Sequence, residues 1–367
     1  MKYYIIAGEA SGDLHGSNLI KALHKKQQNI KIRCWGGEKM EAAGATLIKH
    51  YRDLAFMGFT EVLKNLPTIL NNIKFCKKDI EIFSPDALIL IDYPGFNMRI
   101  AKWAKQKGVK VIYYISPQIW AWKEKRVHAI KRDVDKMMVI LPFEKDFYKK
   151  YNYEVDYVGH PLCEVINDWN IANPNIEKQN IVALLPGSRK QEILIKLPIM
   201  LGMASKFPHY QFVVAKAPGL DDNFYNELLQ PYLNVSTVSN GTYLLLAKAK
   251  AALVTSGTAT LETALFKVPE IICYKGGKIS YEIAKRLIKI KFIGLVNLIM
   301  NKAVVKELIQ NELNENNLSK ELSSILNDAG KNNTIQKDYT ELDKILQGGG
   351  HASENAAKII CDFVGVI

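Results

Sequence analysis

Apolar positions along this chain gather into short runs separated by longer segments with helical spacing. The runs at residues 3–7, 30–34, 87–91, 109–115, 137–141 and 155–158 are rich in β-branched and aromatic residues and predict strands. They are continuous rather than alternating, which predicts strands covered on both faces, and their regular alternation with helices predicts a parallel sheet. His160-Pro161 closes this series, and a polar stretch at 167–179 containing Pro174 reads as a linker. A second series opens at 180–185 and continues at 211–215, 233–238, 251–254 and 269–274. From Lys302 onward the pattern is helical only, and Gly348-Gly349-Gly350 interrupts it before a last amphipathic helix at 353–364. The expected class is α/β, with two successive doubly wound, Rossmann-like units. Their expected limits are 1–165 and 166–340, and the helical segment 341–367 is a candidate to pack back on the first unit.

The length of 367 residues agrees with two domains. A content of 48% hydrophobic and 23% charged residues is that of a globular enzyme and excludes disorder, collagen and coiled coil. No apolar run approaches the roughly 18 residues of a membrane span. The apolar stretch at 3–7 is too short for a secretory signal, and Glu9 and Asp13 follow at once, so a cytoplasmic location is expected. Five scattered cysteines without a CxxC pair read as reduced thiols. The net charge of +12 is uneven: residues 101–150 hold 13 bases and 5 acids, or +8. A basic face of that kind suits nucleic acid, an anionic membrane or an anionic substrate.

Doubly wound sheets bind ligands at the carboxyl ends of their strands, so the chemistry is sought in the turns that follow them. The first turn, Gly8-Glu9-Ala10-Ser11-Gly12-Asp13, is glycine-rich but has neither the dinucleotide nor the Walker spacing. Its Ser11 or Asp13 could equally be a helix cap. After 87–91 comes Asp92, followed by Tyr93-Pro94-Gly95-Phe96-Asn97; a carboxylate there can take a proton from a hydroxyl nucleophile, or cap the next helix. Ser116-Pro117-Gln118-Ile119-Trp120-Ala121-Trp122 precedes Lys123, Lys125 and Arg126, so aromatic faces for sugars or acyl chains stand beside bases for phosphate; core packing beside a solvated helix is the plainer reading.

In the second series, Ser188 and Arg189 end a Pro-Gly turn at a helix start, an arrangement suited to anions because guanidinium grips two phosphate oxygens. Thr255-Ser256-Gly257-Thr258-Ala259-Thr260-Leu261-Glu262 offers hydroxyls and helix-start N–H groups to a pyrophosphate, with Glu262 one turn on for the two hydroxyls of a ribose. The segment 59–83 carries an apolar stripe through Phe59, Val62, Leu63 and Leu66, interrupted by Pro67, which packs on a sheet or meets lipid. Asp133-Val134-Asp135 stands at the wrong strand end for a metal-binding DxD, and the histidines lack metal spacing, so neither metal nor other cofactor is expected.

Taken in order, residues 8–13 (GEASGD), 116–122 (SPQIWAW), 185–189 (LPGSR), 255–262 (TSGTATLE) and 297–310 (NLIMNKAVVKELIQ) resemble the lipid-A-disaccharide synthase family over nearly the whole chain. The resemblance implies a GT-B fold, two Rossmann-like domains facing across a cleft, and a metal-independent inverting transfer. In that reaction 2,3-diacylglucosamine passes from UDP to the 6-hydroxyl of 2,3-diacylglucosamine 1-phosphate, giving a β-1,6 disaccharide and UDP. It further implies Asp92 as base and Arg189 on the leaving phosphate. The donor would meet Ser188, Thr255, Ser256, Gly257, Thr258, Thr260, Glu262, Tyr274 and Asn297. The acceptor would meet Ser11, Gly12, Asp13, Asn97, Ser116 and Trp120. The acyl chains or the anionic inner membrane would meet Phe59, Val62, Leu63, Leu66, Trp122, Lys123, Lys125 and Arg126. A second copy of the chain is a candidate partner; nucleic acid is not. Three positions depart from what is common in that family: Gly95 for aspartate, and Lys123 and Lys275 for arginine. A UDP-N-acetylglucosamine epimerase, another UDP-sugar transferase or a non-catalytic nucleotide- or RNA-binding module remain alternatives.

Overall fold

In the computed structural model, which describes residues 1–54, 66–217, 219–277, 281 and 290–365, the apolar runs become parallel strands. β1 (Lys2–Ala7), β2 (Lys31–Gly36), β3 (Thr46–His50), β4 (Ala87–Ile91), β5 (Lys110–Tyr114), β6 (Lys136–Val139) and β7 (Asp156–Tyr157) form one sheet in the order β3-β2-β1-β4-β5-β6-β7. β8 (Ile181–Leu185), β9 (Gln211–Ala215), β10 (Val235–Val238), β11 (Ala251–Thr255), β12 (Glu270–Tyr274) and β13 (Lys306–Ile309) form another in the order β10-β9-β8-β11-β12-β13. The central strands β1, β4 and β11 are buried almost throughout, as continuous apolar runs require. Contacts divide the chain into Met1–Pro161 with Leu346–Ile367, and Leu162–Ile345.

Four readings of the sequence need correction. The chain beyond Lys302 is not helical only, because β13 adds an edge strand paired with β12. Thr46–His50 pairs with β2 as a strand that periodicity did not single out. The first half of the expected linker at 167–179 is helix, since Pro161–Ala172 runs through it. Pro67 does not interrupt the helix Leu66–Phe83 but is the second residue of its described part.

The last helix, Ala352–Val364, belongs to the first unit. Ala356, Ala357 and Ile360 enter the cluster that holds Ile5, Leu19 and Ile89. The two alanines let the helix approach Ala10–Lys26, and a buried relay ties the two: Tyr3 donates to Gln27 Oε1 at 3.0 Å and Gln27 Nε2 donates to Cys361 Sγ at 3.1 Å. The glycine triplet before it has a steric cause. A Cβ on Gly349 would stand 2.4 Å from the backbone nitrogen of Gly159.

Asp13, from which acceptor contact was expected, has a bracing task within the fold. It is 3% exposed and its carboxylate accepts from the backbone N–H groups of Gly37 at 2.7 Å, Met40 at 3.1 Å and Lys39 at 3.2 Å. It therefore caps the helix Glu38–Ala42 from across the fold. Asp13→Ala orphans these donors and should lower unfolding free energy by about 3 kcal/mol. Urea denaturation reads this directly; a loss under about 1 kcal/mol, within the net worth of one ordinary hydrogen bond, would contradict the bracing role.

Candidate active site

Strand order locates a ligand crevice in each unit. In the first sheet the order reverses between β1 and β4, so the turns after these strands, at Gly8 and Asp92, diverge. In the second it reverses between β8 and β11, where the turns carry Arg189 and Ser256.

The second crevice is a cavity of about 360 Å³ lined by Gly187, Ser188, Arg189, Glu192, Thr255, Ser256, Gly257, Thr258 and Glu262, with Ala215, Lys216 and Thr242 on its β9 side. Gly187 and Gly257 hold φ of +115° and +136°, which side chains disfavour, and a Cβ on Gly257 would meet nothing within 4 Å. The backbone is thus bare where the helix Thr258–Leu265 begins. Arg189 occupies the N-cap position of the helix Lys190–Lys206, and its Nη1 donates to Glu192 Oε1 at 3.1 Å. Two helix starts and a guanidinium suit the cavity to an anion. Glu262 is half-buried beside the Tyr243 hydroxyl, and desolvation raises its carboxyl to about 7.

In the first unit, Asp92 and Tyr93 both take left-handed φ values, 43° and 47°. Two consecutive non-glycine residues there are strained, and strain of this kind persists only where the surroundings impose it. Asn97 Nδ2 donates to the Asp92 carbonyl at 2.8 Å and to that of Ile91 at 3.2 Å, and Tyr113 donates its hydroxyl to the same Asp92 oxygen at 2.5 Å. Gly8 makes room on the other side, since a Cβ there would stand 2.3 Å from the Tyr93 ring. The carboxylate itself is left at the strand end, half-buried, and its pKa rises to about 6 through desolvation first and the charge of Glu9 second.

Not every expected site residue reaches a crevice. Asn97 is fully buried and braces Asp92 rather than offering itself to a ligand. Gly12 is buried, with its Cα side facing Ala7, while Ser11 is exposed. Ser116 is buried against the Tyr148 hydroxyl at 2.7 Å, and Trp120 donates to the buried Glu144 at 3.2 Å, so the first part of that motif is core. Thr260 is buried and returns its hydroxyl to Gly257 O. Asn297 is fully buried among Val305 and Glu307. Tyr274 ends β12 but does not line the cavity. For Asn97 and Thr260 the reason is plain: turns beside a crevice need polar side chains to hold their own backbone. Trp122 by contrast is 53% exposed with the Lys123 ammonium 3.8 Å from its ring centre, and Lys125 and Arg126 are exposed next to it. Phe59, Val62 and Leu63, and the side chain of Leu66, lie outside the described residues. Gly95 faces open space, so the aspartate common in the resembling family would fit there.

Sequence reading missed Lys196, Glu192 and Tyr243. Glu192 and Tyr243 lie in the first turns of their helices, and Lys196 sits in an apolar stripe, all just beyond the loops to which strand order points. Among the described residues no cluster of three or more His, Cys, Asp or Glu could hold a metal, and no helix is long and apolar enough to cross a membrane. Asp133 and Asp135, the metal-like pair set aside above, bind Arg132 and Lys105.

A family model described as lipid-A-disaccharide synthetase matches residues 3–364. The chain is 40% identical over 366 residues to the lipid-A-disaccharide synthase of Syntrophus aciditrophicus, covering 96% of this chain and 95% of that protein. Among solved structures it is similar to the glycosyltransferase of kitacinnamycin, with a TM-score of 0.70, 13% identity and 99% of each chain covered. It is also similar to the UDP-GlcNAc 2-epimerase of Neisseria meningitidis bound to UDP-GlcNAc, with a TM-score of 0.67, 13% identity and 99% of each chain covered. At such identities the two structures speak for the GT-B fold alone.

Proposed function

The chain belongs to the lipid-A-disaccharide synthetase family and is a glycosyltransferase of lipid A biosynthesis, and on that premise we propose its substrates and the work of its residues. The donor is UDP-2,3-diacylglucosamine and the acceptor 2,3-diacylglucosamine 1-phosphate. The second unit holds the donor diphosphate at Arg189, Ser188 and the start of the helix Thr258–Leu265, and Glu262 accepts from the ribose hydroxyls. The first unit presents Asp92 to the 6-hydroxyl of the acceptor. The observation that carries this reading is the location of Asp92 and Arg189 at the two switch points, in a chain matched by the family from end to end.

The transfer is one displacement. The 6-oxygen gives its proton to the Asp92 carboxylate and attacks C1 opposite UDP, the C1–O bond to the β-phosphate breaks with its electron pair leaving on that phosphate, and α becomes β. The transition state has oxocarbenium character, so the chain needs a base and a seat for the departing charge rather than a covalent nucleophile. No helix crosses a bilayer among the described residues. We assign membrane contact to the exposed Trp122 with Lys123, Lys125 and Arg126, and to Leu70, Phe75 and Ile82, which are 47%, 48% and 66% exposed on the helix Leu66–Phe83. Each basic residue near an anionic surface contributes about 1 kcal/mol.

Purified protein given both acylated sugars should release UDP and form a β-1,6-linked product, read by proton NMR of the anomeric centre. Release of UDP equally well with de-acylated sugars would instead support a transferase of water-soluble substrates. A separate expectation comes from Glu262. Its ionised form is the better hydroxyl acceptor, so affinity for UDP-N-acetylglucosamine should rise as pH increases through about 7. That ligand has no group of its own titrating there. Calorimetric titration should show the rise in the wild type and a flat profile in Glu262→Gln; a slope that survives the substitution would remove the ribose role.

A further inference from the structure

The helix Lys190–Lys206 buries Ile193, Lys196, Leu197, Met200 and Leu201 along one face. Position 196 therefore occupies the apolar stripe, where helical periodicity calls for leucine or methionine, and it holds a lysine whose side chain is 3% exposed. A buried ammonium is costly, and nothing in the packing of this helix requires one. Nζ reaches two groups, both in the wall of the second crevice: it donates to Thr255 Oγ1, and lies 3.5 Å from Glu192 Oε2. Glu192 in turn accepts from Arg189 at 3.1 Å, so one carboxylate links two cations.

The geometry around Gly187 shows what the lysine can reach. This residue lines the cavity and has no side chain. A point where its Cβ would stand is 2.9 Å from Glu192 Oε2, 3.4 Å from the Thr255 methyl and 3.6 Å from Lys196 Nζ. The ammonium thus lies behind the bare glycine backbone, flanked by the Glu192 carboxylate and the Thr255 side chain. We propose that Lys196 is a second cation of the donor site, acting on the diphosphate over Gly187, with Glu192 as the counter-ion it shares with Arg189. The two cations differ in strength per charge. The Arg189 side chain is 65% exposed and screened by water, while the Lys196 charge acts from a drier wall. The assignment rests on the donor reading above.

Lys196→Met keeps the length of the side chain and suits an apolar stripe, so the variant should fold and melt at or above the wild-type temperature. Calorimetry with UDP and with UMP then separates the roles. Affinity for UDP should fall at least about tenfold, as expected for loss of a charged contact, and affinity for UMP should fall by clearly less. A purely structural lysine would leave the preference for UDP over UMP unchanged. No loss, or equal losses for the two nucleotides, overturns the assignment. If the wild type itself binds neither nucleotide, the donor reading fails, a result distinct from the failure of Lys196.

Discussion

Asp92→Asn should give a folded protein that binds UDP as the wild type does and transfers sugar about 10²–10⁴-fold more slowly, the usual worth of a positioned general base. The structure separates the two properties. The strained turn is held through the Asp92 carbonyl, which Asn97 and Tyr113 engage, and the carboxylate adds a hydrogen bond from the Tyr93 N–H that an asparagine oxygen can also accept. An asparagine preserves that backbone and the size of the side chain but cannot accept the proton. UDP binding is assigned to a cavity lined wholly by residues of the other unit, so it should be untouched. The wild-type rate should also show an acid limb near pH 6, because the carboxyl is raised to about 6 and only its ionised form is a base. Activity falls as pH drops through that value and is full above it. Turnover of Asp92→Asn within about tenfold of wild type, below the range of general-base catalysis, would place the base elsewhere. Asp13 is then a poor substitute, since backbone N–H groups already occupy both of its oxygens.

Much of the fold is legible because its inner strands are covered on both faces. A run such as ALILI at β4 has no polar position to hide it. The strands that escaped are at or near edges. Thr46–His50 and Lys306–Ile309 are half-solvated and mix lysine, histidine and glutamate with apolar residues, so their pattern merges into the helices around them. The site was legible to the level of the turn and not of the side chain. Asp92 and Asn97, or Thr258 and Thr260, are the same kinds of residue within one strand-to-helix junction. One of each pair lies open to a crevice and the other is fully buried holding the loop. Only the direction of the side chain tells them apart, and spacing does not encode that in a turn with left-handed residues. Lys196 illustrates the converse. Its functional mark is a charge in the apolar phase of a helix, visible in the sequence but outside the turns where strand order directs attention.

Removing the Arg189 guanidinium should cost roughly 10²–10³-fold in turnover, the range seen when one donor to a developing oxyanion is deleted. As UDP departs, charge grows on the β-phosphate oxygens, and an interaction stronger in the transition state than with bound donor lowers the barrier instead of only tightening binding. Arg189 suits that task by position as well as charge. It occupies the N-cap position of a 17-residue helix whose first N–H groups point the same way, after a glycine whose φ of +115° brings the bare backbone to the cavity. The ion pair with Glu192 holds the guanidinium near the turn while its side chain stays 65% exposed. Arg189→Ala should consequently depress kcat with a smaller change in donor KM, because Ser188, Thr258 and the two helix starts still seat the ground-state diphosphate. Arg189→Lys should recover only part of the loss, since an ammonium restores the charge without the two-pronged geometry. Steady-state kinetics of the three proteins with varied donor decide this. A rise in KM at unchanged kcat would make Arg189 a binding residue only, and equal rates for alanine and wild type would move the leaving-group charge to another cation.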